Sequence, residues 1–395
     1  MKILAVNAGS SSLKFMLIRM PEEMVLTSGI VEKIGSQEAI FSIKINERKQ
    51  TKNCFIASHL EAVELILNSL LENKIINNLS ELSGIGHRVV QGGEKCKESK
   101  VIDNKLINVI MELSDIAPLH NPANLMGINT FKKLLPNSLN VAVFDNSFHL
   151  TMKEDAFLYA IPYEWYKEYG IRKYGYHGTS HQFVSQRASV LLGKKNAKII
   201  VCHLGNGASI CAVKNQKSID TSMGFTPLEG IPMGTRSGNI DPGIIEYICK
   251  KLSKDEKQVT SILNRGSGFL GVSGFSNDAR DITKKYKEND KRAMLAFDIY
   301  AKRIVDYIGS YFLSLGGLDA ICFTAGIGEN SPLIRELVLN RLKALKIKFD
   351  NDLNYKTFGV ETMLSLPNSK VKIYVIPTNE EVMIAREVYK HATKK

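Results

Sequence analysis

Arg88 interrupts the apolar run Gly84-Ile-Gly-His-Arg-Val-Val-Gln-Gly-Gly93. A guanidinium inside such a run is unusual unless it has an anion to meet. Arg236 lies in Gly234-Thr-Arg-Ser-Gly238, within a stretch at 220–243 rich in Gly, Pro and Ser. Long ordered loops of that kind are often functional. Asp145 follows the buried-strand pattern Asn140-Val-Ala-Val-Phe144, and strand C-terminal ends are where α/β sheets bind ligands. Three glycine-bearing turns each follow an apolar run: Asn7-Ala-Gly-Ser-Ser-Ser12, His203-Leu-Gly-Asn-Gly207 and Gly326-Ile-Gly-Glu-Asn330. Turns rich in backbone N–H donors suit phosphate, and the last one opens a helix, whose N-terminus favours anions. With Lys14, Arg88, Arg236 and Arg280, these turns describe a site for a highly charged phosphate ligand.

Other chemistries are weaker. The G-x-x-x-x-G-K-[ST] phosphate loop is absent. Gly266-Ser-Gly-Phe-Leu-Gly271 matches G-x-G-x-x-G but follows a helix-like segment at 259–264, so it reads as a turn. His177-Gly-Thr-Ser-His181 has the four-residue spacing of a zinc helix but lacks the Glu of H-E-x-x-H. No Gly-x-Ser-x-Gly anchors a serine hydrolase. From the residues alone, Arg88 paired with a buried acid and His177 as a satisfied core histidine remain open.

Regular elements must hold these groups in place. Residues 3–18 read as two buried strands joined by the Asn7–Ser12 turn. Strands are expected at 24–31 and 39–45, making the N-terminal region a mostly antiparallel sheet. Helical spacing marks 59–71, 123–134, 182–192 and 292–315. Further strands are expected at 140–144, 198–213 (broken by the glycine turn), 318–324 and 371–376, with a C-terminal helix after Pro377-Thr-Asn-Glu-Glu381. The strand–turn–strand at 198–213 repeats the opening one, with His203 matching Asn7 and Gly205 matching Gly9. An internal duplication is the economical explanation.

The chain has 395 residues, 44% hydrophobic and 23% charged, which suggests more than one core. No apolar run approaches the roughly 20 residues of a membrane span, and the N-terminus is not patterned as a secretory signal. Six scattered cysteines without a C-x-x-C pair fit reduced thiols in a cytoplasmic protein. The net charge is +12, but the basic residues are spread and not interleaved with aromatics. That disfavours nucleic acid as the partner and leaves an anionic small substrate.

Seven motifs in order carry a resemblance: Asn7-Ala-Gly-Ser-Ser-Ser-Leu-Lys14, Gly86-His-Arg-Val-Val-Gln-Gly-Gly93, Phe144-Asp145 with Phe148-His149, His177-Gly-Thr-Ser-His181, His203-Leu-Gly-Asn-Gly207, Gly234-Thr-Arg-Ser-Gly238 and Gly326-Ile-Gly-Glu-Asn330. Together they resemble the acetate kinase (acetokinase) family over residues 3 to 388. The resemblance implies an α/β fold of two duplicated actin-like, ribonuclease H-like domains with mixed sheets and a central cleft. The domains are expected at 1–148, joined by a C-terminal helix at 383–395, and at 149–382. It implies acetate and ATP/ADP as substrates, Mg²⁺ (or Mn²⁺) as the metal, and a homodimer.

The same resemblance implies roles for individual residues. Asp145, His177 and Arg236 are catalytic, and Arg88 and His120 hold the acid substrate. Nucleotide is bound by Lys14, His203, Leu204, Gly205, Asn206, Gly207, Asp278, Ala279, Arg280, Gly326, Ile327, Gly328, Glu329 and Asn330. Asn7 and Glu380 face the metal, with Glu381 as the fallback. Since a carboxylate is already ionised at pH 7, Asp145 is expected to orient metal or its waters and to hold an arginine. Val90, Leu119 and Pro232 are apolar enough to wall a methyl pocket. Asn146-Ser147 and Asn239 depart from the family pattern beside Asp145 and Arg236. Two rival activities remain: a propionate or butyrate kinase, and a non-catalytic ATP-binding module of the same fold.

Overall fold

Two apolar runs put residues Lys2–Ala8 (β1) and Ser12–Arg19 (β2) into one hairpin, with Asn7 paired across it to Lys14. In the computed structural model, which describes residues 1–46, 48–118 and 120–394, the chain forms two compact units. Leu119 lies outside the described residues. The first unit is Met1–Ser147 with Asn379–Lys395, and the second is Phe148–Thr378. No described helix is long and apolar enough to cross a membrane.

In the first unit, β3 (Met24–Glu32), β4 (Ala39–Ile45) and β5 (Arg48–Cys54) continue the hairpin as an antiparallel meander. β6 (Leu82–Val89) joins β1 in parallel, β7 is Lys100–Val101, and β8 (Asn140–Phe144) runs parallel to β6. The order is β5-β4-β3-β2-β1-β6-β8-β7. β5 was not foreseen because Arg-Lys-Gln-Thr-Lys-Asn-Cys has no apolar alternation. It is an edge strand, where lysines discourage further pairing.

In the second unit, β9 (Lys198–Leu204), β10 (Ala208–Lys214), β11 (Lys217–Thr221), β12 (Ala320–Thr324), β13 (Thr362–Met363) and β14 (Lys372–Val375) are ordered β11-β10-β9-β12-β14-β13. The segments β3-β2-β1-β6-β8 and β11-β10-β9-β12-β14 have the same sequence of senses, antiparallel twice and then parallel twice. The duplication expected from two similar turns thus extends to whole sheets.

This topology decides where chemistry collects. β1, β6 and β8 are parallel, so Ala8, Val89 and Phe144 end along one edge of their sheet. Leu204, Thr324 and Val375 do the same in the other unit. The edges stay in place because the strands are buried. Leu4, Val6, Phe15 and Ile85 belong to the first core, with Ile66 and Phe131 from the helices His59–Glu72 and Asn121–Leu134. Ile199, Val201, Cys211 and Cys322 pack with Val184 and Ala188 in the second.

The C-terminal helix Glu380–Thr393 lies against β6 and β1. It approaches closely because Gly84 and Gly86 have no side chains. A Cβ on Gly84 would stand 2.6 Å from Val388 Cγ1, and one on Gly86 would stand 2.8 Å from Val388 Cγ2 and collide with Ile384. Gly86→Ala should therefore overpack this contact and destabilise the protein by about 1–3 kcal/mol, as read by denaturant unfolding. Glu380 and Glu381 head this helix, so activity should fall with it.

Candidate active site

In the first unit, β6 delivers Arg88 and β8 delivers Asp145, whose N–H donates to Val89 O at 2.9 Å. Arg88 Nε donates to Asp145 Oδ1 at 3.0 Å and Oδ2 at 3.1 Å, and Nη2 donates to Oδ2 at 2.5 Å. The guanidinium has found the anion that its place in an apolar run demanded. Glu380 Oε2 is 3.8 Å from Arg88 Nε, and Glu381 forms an ion pair with Lys14. Burial opposes charge on Arg88, but Asp145 and Glu380 outweigh it and hold its pKa above the ordinary value. Burial also pushes the Glu380 carboxyl up; Arg88 opposes this, while Asp145 and Glu381 add to it. Three carboxylates thus crowd two cations.

Among the described residues, no three His, Cys, Asp or Glu side chains converge to hold a metal by themselves. Magnesium does not require that, since it takes one or two carboxylates and keeps waters or phosphate oxygens. The all-oxygen donors here, Glu380 and Asn7 on the neighbouring strand, and the uncompensated negative charge around Glu380 fit such an ion. His120 precedes the helix Asn121–Leu134. Asn121 and Asn124 of that helix accept from Gln91 N and Val90 N at 3.1 Å each, pinning the chain just beyond Arg88. Val90 is buried and Pro232, in the other unit, is half-buried.

In the second unit, His177 caps the helix Gly178–Leu191 in a left-handed conformation, φ 58°, uncommon for a residue with a side chain. Its Nδ1 is 2.9 Å from Ser209 Oγ, and its ring stacks on His203 at 4.1 Å between centroids. Arg236 makes no ion pair among the described residues; Nη1 reaches only Pro227 O at 3.4 Å and Met233 Sδ at 3.7 Å. Burial accordingly pulls its pKa down. A methyl group placed on Gly207 would stand 3.6 Å from both Arg236 Nη1 and His177 Nε2. Two donors therefore converge over a bare glycine.

The Arg236 loop is held from beneath. Ser267 N donates to Thr235 O at 2.9 Å, Phe269 N to Met233 O at 2.9 Å and Leu270 N to Gly234 O at 3.0 Å. The G-x-G-x-x-G stretch is thus a turn that supports this loop, as its context indicated. A Cβ on Gly234 would overlap Asn206 Oδ1, so a larger residue there would have to displace the Asn206 side chain. Asn239, one of the departures, is structural: its side chain accepts from Gly230 N at 2.7 Å and donates to Tyr307 OH at 2.9 Å. Asn146 likewise binds Gly92 N and Gly93 O at 2.9 Å each, and Ser147 Oγ donates to Phe144 O.

A cavity of about 810 Å³ opens in the same unit, a size suited to a small ligand. Of the candidate nucleotide residues, Gly205, Asn206, Asp278, Ala279, Arg280, Gly326, Ile327 and Asn330 line it. Leu204 is fully buried, and Gly207 faces His177 and Arg236 instead. Glu329 accepts from Ala325 N at 2.7 Å and Thr378 N at 3.1 Å, tying the helix Ala325–Asn330 to the chain beyond β14. Lys14 belongs to the first unit, where it pairs with Glu381.

Sequence reasoning missed Tyr355 and Phe358, which supply apolar wall, and Arg335. Arg335 is fully buried without a carboxylate partner. Its five donors meet Asn354 Oδ1, Gly328 O, Glu329 O, Asn354 O and Thr357 O at 2.7–3.0 Å. It thereby joins the Gly326–Asn330 wall to the Tyr355–Phe358 wall, and burial lowers its pKa to about 10. In the sequence it reads as one more charged residue on a helix, so no signal marked it.

Residues 2–386 match the Acetokinase family. An acetate kinase of Bacillus cytotoxicus is 56% identical over 389 residues, 98% of each sequence. Among solved structures, acetate kinase of Porphyromonas gingivalis superposes with a TM-score of 0.93 at 42% identity, covering 98% of this chain and 99% of that one. A propionate kinase from Francisella tularensis gives 0.93 and 42% over 98% of both.

Two outcomes follow from the geometry. Gly207→Ala creates only ordinary contacts at a residue with no left-handed φ, so it should melt like the wild type. Turnover should nevertheless fall by about tenfold or more, because the methyl occupies the space between two donors. The raised Glu380 carboxyl binds its proton more tightly in the folded state than in the unfolded chain. Its stabilising contribution is present at low pH and lost as pH rises through the raised value. In metal-free buffer, Glu380→Gln should melt above wild type at pH 7, with the gap closing toward pH 4.

Proposed function

This chain belongs to the acetokinase family, and we propose that it transfers the γ-phosphoryl group of ATP reversibly to acetate, giving acetyl phosphate and ADP by direct in-line displacement. It is a phosphotransferase with a carboxyl group as acceptor. The observation that carries the chemistry is the convergence of His177 Nε2 and Arg236 Nη1 over Gly207, with Arg236 lacking a carboxylate. A half-buried guanidinium with no anion of its own is matched to one that arrives with the substrate.

In this reading Arg236 and His177 hold the oxygens of the transferring phosphoryl group, where charge stabilisation is usually the dominant contribution. Arg88 holds the acetate carboxylate with its remaining donors, since both Asp145 oxygens already accept from Nε and Nη2. His120 is a second acetate ligand. Asp145 acts by holding Arg88 charged and oriented. Both its oxygens are engaged and it is fully buried, which argues against Asp145 as a phosphorylated nucleophile. The 810 Å³ cavity takes the nucleoside portion of ATP, with Asp278, Ala279 and Arg280 at one side and Gly326, Ile327 and Asn330 at the other. Asn7 and Glu380 would hold Mg²⁺ or Mn²⁺, with Glu381 behind them paired to Lys14. When bound, the metal neutralises phosphate charge and orients it.

The six cysteines are free, which supports a cytoplasmic location. A homodimer rests on family membership and on exposed Tyr163, Trp165 and Tyr169 in the second unit. A coupled assay with acetate, propionate and butyrate tests the substrate. Acetate should turn over, and because an extra methylene changes binding by only about 1–3 kcal/mol, propionate should turn over as well at a modestly different rate. No turnover with any of the acids would leave only a nucleotide-binding module. Arg236→Ala should lower kcat by about 10²–10³-fold while changing the KM for ATP little. Equal losses in both would make Arg236 a ground-state ATP ligand.

A further inference from the structure

We propose that Ser209 and His181 set the tautomer of His177, keeping its ring neutral with the proton on Nε2, the nitrogen beside Arg236. The proposal deepens the reading of His177 as a phosphoryl-group donor and rests on it for its consequence, but the wiring itself is read from geometry.

Ser209 Oγ, on β10 and fully buried, lies between two imidazoles, 2.9 Å from His177 Nδ1 and 2.7 Å from His181 Nε2. A serine hydroxyl has one proton, so it donates to one ring and accepts from the other. His181 decides which. It is fully buried, and its Nδ1 has no partner. A proton on Nδ1 would be an orphaned buried donor, a rare and costly arrangement. A proton on Nε2 is satisfied by Ser209. Burial, together with His149 and His203, pushes the His181 pKa well down, so the ring carries only that one proton. Ser209 therefore accepts from His181 and donates to His177 Nδ1. The remaining proton of a neutral His177 is on Nε2, pointing over Gly207.

A second hydroxyl chain repeats the arrangement on the stacked ring. Thr378 Oγ1 donates to Ser180 Oγ at 2.8 Å, leaving the Ser180 proton for His203 Nδ1 at 2.7 Å. The motif His177-Gly-Thr-Ser-His181 thus contains the donor and, in Ser180 and His181, groups that orient the protons of two rings. The opposite tautomer of His177 would present a lone pair to a phosphoryl oxygen and repel it. Ser209 and His181 are positioning residues, acting through His177.

The test is ¹⁵N NMR of histidine-labelled full-length protein, with His177 assigned by loss of its signals in His177→Gln. Wild type should show Nδ1 of His177 unprotonated and Nε2 protonated. Ser209→Ala should give a mixture of tautomers and lower kcat by roughly 10–100-fold, as loss of a histidine-orienting partner does elsewhere, with little change in either KM. His181→Gln, which keeps an N–H for Ser209, should retain more activity than His181→Phe. A protonated Nδ1 on His177 in the wild type would overturn the proposal, as would Ser209→Ala with an unchanged spectrum. If Ser209→Ala does not fold, the wild-type spectrum decides. Full turnover in His177→Ala beside the expected wild-type spectrum would remove the catalytic reading and leave the wiring intact.

Discussion

The buried Arg88–Asp145 pair is the interaction on which the first unit depends. A guanidinium at the end of a buried strand needs its donors met, here by a carboxylate, and breaking a buried ion pair from one side typically costs about 3–5 kcal/mol. Asp145 meets that need from the adjacent parallel strand, in register because β6 and β8 are paired through Val89 and Phe144. The sheet edge, the C-terminal helix and the glycines beneath it then bring Glu380 and Glu381 to the same place. Negative charge accumulates beyond what Arg88 and Lys14 neutralise, and a divalent cation is the natural complement.

The second unit solves the opposite problem. Much of its polar interior consists of imidazoles and hydroxyls bonded in chains, with His149 bound to Ser218 Oγ at 2.8 Å and Tyr176 O at 2.9 Å and its pKa lowered to about 4 by burial. Two of its arginines, Arg335 and Arg236, make no ion pair with a carboxylate among the described residues. Arg335 is satisfied entirely by amide and carbonyl oxygens, and Arg236 reaches only Pro227 O and Met233 Sδ. Buried charge without a counter-charge is costly; Arg335 meets that cost with five backbone and amide oxygens while bracing a cavity wall, whereas half-buried Arg236 has only two long polar contacts.

Both units use one topology with different residues at equivalent turns. After β1 the turn is followed by Lys14, whose partner is a carboxylate. β9 itself carries His203 near its end, and the turn after it presents the bare Gly207 beside His177. The duplicated frame fixes where strands end, and different residues at those ends place carboxylates in one unit and imidazole and guanidinium nitrogens in the other.

Much of this was legible in the chain itself. Apolar runs located β1 to β4, β8, β9 and β10. The two similar turns indicated the duplication, Arg88 in an apolar run demanded an anion, and the ordered motifs pointed to the family. Each of these signals is local, carried by neighbours within a few residues. The polar edge strand β5 carries no alternation and escaped notice. Arg335 carried no signal, and the bonds by which Glu329 ties Ala325 to Thr378, Asn146 holds Gly92 and Gly93, and Asn239 holds Gly230 and Tyr307 were not legible either. Residue type and spacing determined which groups are able to bind an anion. Only the tertiary structure decided which of them are already satisfied by a partner far away in the chain, because hydrogen bonds and burial are set through space.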